Sequence, residues 1–122
     1  MRVLAYAAPR LIRDETFSRW QVEFDGVNSL TKKWGPQKLY GGLQIENIVQ
    51  GTARDVMAEG MFRLEAHGDY PIVLTVHDEV LCETPEDRGS VAEFKTILAQ
   101  PPKWAAALPT AVSAWRDKRY SK

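Results

Sequence analysis

Residues 73–83 read VLTVHDEVLCE, two apolar arms on either side of a histidine and two acids. The arms predict two antiparallel strands, 71–76 and 80–83, with the turn at His77-Asp78-Glu79. Strand 71–76 is β-branched and apolar on both faces, which predicts burial on both sides. Polar residues at a hairpin turn are ordinary. Two adjacent acids there also offer oxygen ligands to a divalent cation. The tripeptide alone leaves both readings open.

Upstream, the pattern is helical from about residue 43 to 67. Ile45, Val49, Ala53, Val56, Gly60 and Leu64 recur every three or four positions and form one apolar stripe. Asn47, Gln50 and Arg54 share a different face, with Ala58 beyond them. Amides and a guanidinium suit minor-groove base edges and phosphate, although such a face also simply meets water. Gly51 and Gly60 each lower helix propensity by about 1 kcal/mol relative to Ala, a cost that makes sense where something approaches closely. Gly68 is placed to end the helix in the left-handed conformation.

The remaining segments read as shorter elements. Residues 1–8 alternate loosely and predict a strand ending at Pro9. A second strand is expected over 20–24, followed by a turn at Asp25-Gly26. Residues 31–40 read as a polar connection broken at Gly35-Pro36. Downstream, Thr84 as N-cap and Pro85 at the first helical position predict a helix running to about Ala99. A last strand is expected over 109–115. The order ββ-α-ββ-α-β predicts an α+β fold: an antiparallel sheet carrying the HDE hairpin at its centre, with the long helix packed on it. All 122 residues are expected to form a single domain with one core.

Bulk composition excludes more than it selects. The chain is 44% hydrophobic and 26% charged, as in ordinary globular proteins. No stretch approaches the roughly 18 apolar residues of a membrane helix, and the amino terminus does not read as a signal peptide. Cys82 is the single cysteine, so a reducing, cytoplasmic compartment is the simplest expectation; its place in an apolar strand suggests a structural thiol. One cysteine and two histidines do not suit a Cys/His zinc site. Phosphate-loop and hydrolase-elbow motifs are absent. Trp20, Trp34, Trp104 and Trp115 are scattered, which suits packing better than a base-stacking platform. His67 reads as a helix-end residue.

Net charge is zero, but its distribution is uneven. Residues 1–40 hold seven Lys and Arg against four Asp and Glu; residues 41–115 hold five against eleven; residues 116–122 hold four against one. Basic ends thus flank an acidic middle that contains the HDE triplet.

Three segments in order, YGGLQIENIVQGTARDVM (40–57), VLTVHDEVLCETP (73–85) and QPPKWAAALPTAVSAWRDKRYSK (100–122), resemble the carboxyl-terminal part of bacteriophage-type family A DNA polymerases. The opening MRVLAYAAPR also looks like the segment after the fingers in that group, so the resemblance covers essentially the whole chain. Its most specific piece is NIVQGTARD followed by VHDEV, 26 residues after Gln50.

The resemblance implies a palm segment in which the HDE turn is motif C. Asp78 would then be a catalytic metal ligand and Glu79 an acidic neighbour of the same Mg²⁺ site, half of a two-metal centre. It further implies that His77 touches the primer terminus and that Gln50, with Asn47 and Arg54, approaches primer-template DNA from the minor groove. The implied partners are DNA, a deoxynucleoside triphosphate and the remaining fingers and palm; no membrane is implied, and the setting is the cytoplasm of a bacterial host. Two positions depart from the family. Glu46 stands where many members have an asparagine, one residue before Asn47, and Gly42 stands where bacterial members have an arginine. Motif A, with the second metal-binding aspartate, and the fingers helix of motif B do not occur in these residues. The chain alone is therefore expected not to polymerise, and a surface normally covered by the missing parts could drive self-association. Two rival readings remain: a non-catalytic nucleic-acid or partner-binding module with the same fold, and a small metal-dependent nuclease using Asp78, Glu79 and Asp55.

Overall fold

The structure, a computed structural model, describes residues 3–120. Its elements run β1 (Ala7–Asp14), β2 (Arg19–Val27), β3 (Trp34–Leu39), α1 (Gly41–His67), β4 (Ile72–Val76), β5 (Glu79–Cys82) and α2 (Val91–Ala99), with a 3-10 turn at Lys103–Ala105. The class is α+β with antiparallel pairing and a long helix. The strands form two sheets, one ordered β1-β2-β3 and one consisting of β4-β5. The acidic hairpin is thus a two-stranded sheet of its own. The contacts divide the chain into two compact units, Met1–Thr52 and Ala53–Lys122, with α1 contributing to both.

The first unit corrects three sequence expectations. β1 does not end at Pro9 but runs through it; residues 1 and 2 of the expected strand lie outside the described residues. Proline cannot donate to a ladder, and here it falls at the irregularity between Ala7 and Arg10 on an edge strand. Asp25-Gly26 is not a turn, because β2 continues to Val27 and pairs Asp25 with Pro36 and Gly26 with Gly35. The expected connection over 31–40 is accordingly strand β3, whose edge position tolerates Pro36. Across β1 and β2, the Arg10 guanidinium donates to Glu23 Oε1 at 2.7 Å and Asp25 Oδ1 at 3.1 Å. Asp14 closes the first hairpin: its Oδ1 accepts the Thr16 and Phe17 amides, and Lys38 lies 3.5 Å from its Oδ2. Tyr6 packs edge-on against Phe24.

The second unit is centred on Leu64, which is fully buried, and Tyr70. Of the apolar stripe, Gly60 and Leu64 are buried, whereas Ile45 and Val49 near the start of α1 are exposed. Gly60 has the close neighbour its low propensity calls for: a Cβ there would lie 3.0 Å from Leu98 Cδ2. Arg63 fastens the same helix to the end of α2, donating to the carbonyls of Ile97 and Gln100 at 3.2 and 2.5 Å. These are among the orphan acceptors of a helix C-terminus. Gly68 ends α1 at φ +88° and donates its amide to the Leu64 carbonyl, the left-handed cap expected from sequence.

The start of α2 differs from expectation. Its N-cap is Ser90, whose hydroxyl accepts the Glu93 amide, while Thr84 uses its hydroxyl on the Asp69 carbonyl. Residues 85–88 form a turn instead. Tyr70 ties this region together by accepting the Ser90 amide and donating to Glu93. Residues 109–115 are irregular rather than a strand. No helix among the described residues is long and apolar enough to cross a membrane.

Candidate functional site

The β4-β5 register fixes the geometry of the acidic hairpin. Val76 pairs with Glu79, Thr75 with Val80 and Leu74 with Leu81. Only His77 and Asp78 therefore lie in the loop, and Glu79 is the first residue of β5 rather than part of the turn. A two-residue hairpin loop needs positive φ, which is why Asn-Gly or Gly-X usually occupies it. Here His77 takes φ +53°, at a cost of about 1 kcal/mol for a side-chain-bearing residue. Ser18, in the β1-β2 loop, is left-handed too.

His77, Asp78 and Glu79 are all exposed. Val73 and Leu74 in β4 are 59% and 48% exposed, so the expectation of a strand buried on both faces is not met within this chain. Such burial requires a second covering surface, and sequence periodicity does not say which chain supplies it. On the helix side, Arg54 Nη1 lies 3.5 Å from the His77 carbonyl oxygen. This is a long contact, but it brings a guanidinium to the turn. Residue 54 belongs to the polar line expected to meet nucleic acid.

The other members of that line belong to the first unit. Asn47 is half-buried, and its Nδ2 donates to the Tyr6 hydroxyl at 3.1 Å. That contact gives it a role in holding the unit together while leaving a second amide hydrogen. Gln50 is exposed. Asp55, the acid considered for a nuclease, is half-buried on α1.

Reading the sequence did not identify the carboxyl-terminal segment as part of the site. The Tyr120 hydroxyl donates to Glu79 Oε2 at 2.9 Å. Its ring stacks on Trp115, with centroids 6.4 Å apart and planes 13° from parallel. Arg116 donates to the carbonyls of Pro85, Arg88 and Gly89 at 2.6, 3.1 and 3.4 Å. The only available signal was two aromatics five residues apart in a basic tail. The last two residues of that tail lie outside the described residues.

The donor set can be compared with the demands of Mg²⁺. That ion takes oxygen ligands and typically uses one or two carboxylates, completing its shell with water and substrate phosphate. Asp78 and Glu79 provide carboxylates at adjacent positions, which fits part of such a site. Among the described residues, no three His, Cys, Asp or Glu side chains converge to hold a metal. Cys82, further along β5, is half-buried; burial, aided by the negative charge of Glu65, pushes its thiol up to about 11. It is therefore protonated at neutral pH, as suits a structural thiol.

No protein-family profile matches this chain, and no solved structure matches it. A curated relative does: the DNA polymerase of Bacillus phage SP02, 37% identical over 121 residues. The alignment covers 99% of this chain and 18% of that polymerase. The chain is thus similar, along almost its entire length, to a minor part of a phage DNA polymerase.

Proposed function

We propose that this chain supplies the motif C portion of a family A polymerase palm for nucleotidyl transfer in DNA replication. The observation that carries this reading is the exposed loop, with His77 strained and Asp78 presented at its tip, in a chain similar to a phage DNA polymerase. Asp78 and Glu79 would hold Mg²⁺. Bound there, the ion would supply charge stabilisation at substrate phosphates during in-line displacement. His77 would lie towards the primer terminus, and Arg54 would offer its guanidinium to phosphate. Gln50 and the remaining Asn47 donor would meet minor-groove acceptors that all base pairs present, reporting pair geometry rather than sequence.

The partners on this reading are primer-template DNA, a deoxynucleoside triphosphate and the rest of a polymerase, in the cytoplasm of a bacterial host. The large apolar side chains left exposed in the second unit, including Phe62 at 74%, support a covered surface in the complete enzyme. In isolation that surface favours self-association; sedimentation as a monomer across a wide concentration range counts against this.

Primer extension with Mg²⁺ and four nucleotides tests the function. The chain is assayed alone and mixed with the part of the SP02 polymerase that it does not match. Extension in the mixture alone, abolished by Asp78→Ala, is the expected result. No extension despite demonstrated folding and association leaves a non-catalytic binding module. Mg²⁺-dependent DNA cleavage by the chain alone favours the nuclease.

A further inference from the structure

We propose that Tyr120 is a positioning residue for Glu79, and that the segment from Trp115 to Tyr120 is its mount. A glutamate carboxylate at the exposed start of a strand has three side-chain torsions to settle before it can meet a cation reproducibly. The Tyr120 hydroxyl, 2.9 Å from Glu79 Oε2, restricts them from outside the hairpin. The bond engages Oε2, one of the two oxygens through which a carboxylate accepts.

The hydroxyl is itself held at two levels. Stacking on Trp115 fixes the plane of the ring. Arg116 then secures the chain beneath it by spreading its guanidinium over three carbonyls in the 85–89 turn. This explains two features otherwise without purpose. An irregular tail lacking strand or helix keeps a defined path, and the expected first turn of α2 is instead a bend that presents its carbonyls to Arg116. The role rests on the acidic-hairpin reading for its purpose, but the positioning itself is measured without metal.

The test uses the full chain, isotope-labelled, as wild type, Tyr120→Phe and Arg116→Gln. Scalar couplings report the Glu79 side-chain rotamers, and Mn²⁺-induced line broadening reports cation binding at the hairpin. The expected wild-type result is one dominant Glu79 rotamer. Tyr120→Phe retains the ring and its stack yet averages the rotamers, with the melting temperature essentially unchanged. It also weakens Mn²⁺ broadening at Asp78 and Glu79 by about fivefold in affinity, the size of one net hydrogen bond. Arg116→Gln reproduces the averaging by releasing the mount. Averaged Glu79 rotamers in the wild type, or couplings unaffected by Tyr120→Phe, overturn the proposal. A fixed Glu79 that Tyr120→Phe releases, in a chain that Mn²⁺ does not broaden, overturns the metal reading and upholds the positioning.

Discussion

The β1-β2 and β4-β5 hairpins are both closed at an aspartate, and they use it in opposite ways. Asp14 is 8% exposed and fully engaged, accepting two backbone amides and facing Lys38. Asp78 is exposed and makes no hydrogen bond or ion pair among the described residues. Both loops contain a left-handed residue, Ser18 and His77, so strain alone does not separate them. The difference is where the polar groups are spent. The first loop satisfies its acid internally and is explained by stability; the second leaves its acid available, with a guanidinium and a tyrosine brought alongside.

The contrast should appear most strongly in melting temperature. Asp14→Ala removes the acceptor of two amides and should lower the midpoint by on the order of 4 °C. Asp78→Ala should leave it unchanged, and an equal fall in both would erase the distinction. Acid gives a second view of the same asymmetry. Burial by itself would raise the Asp14 carboxyl, but the Phe17 amide and the Lys38 charge outweigh it and hold the group below its ordinary value of 3.8. A carboxyl lowered in the folded state stabilises above its unfolded value and loses that contribution as pH falls through the folded one. Asp14→Asn should therefore flatten the stability profile below about pH 4, and an unchanged profile would contradict this.

Smaller effects sharpen the second loop. His77→Gly relieves the left-handed strain while loosening the unfolded chain, so stability should change by no more than about 1 kcal/mol. A larger loss in urea unfolding would show that the imidazole holds the hairpin together. Least affected is Cys82, whose alkylation by iodoacetamide should be slow at pH 7 and accelerate as pH rises towards about 11. Rapid labelling at neutral pH would mean that β5 opens far more readily than its pairing suggests.

What could be read from the sequence follows the range of the interactions involved. Helix α1 and its Gly68 cap arise from local periodicity and a single backbone conformation, and both were legible. The Val73–Glu83 stretch revealed its hairpin because a polar triplet interrupts apolar arms. Strand β3 was obscured by Gly35-Pro36, a pair that breaks an interior strand but is tolerated at a sheet edge. The start of α2 carried a legible signal that Thr84-Pro85 concealed: Ser90 and Glu93 have the spacing of a capping box. Among candidate site residues, His77, Asp78 and Glu79 stood out as a polar triplet between apolar arms. Tyr120 was not, since its contact with Glu79 spans 41 residues and depends on Arg116 finding carbonyls in a loop.

The most direct measurement places Asp14→Ala and Asp78→Ala side by side in two assays, thermal melting of this chain and primer extension in the reconstituted mixture. The predicted result is a crossing. Asp14→Ala melts early but supports extension below its midpoint, whereas Asp78→Ala melts like the wild type and loses extension by on the order of 10³-fold. Wild-type extension that survives Asp78→Ala would contradict the assignment of the β4-β5 hairpin to catalysis.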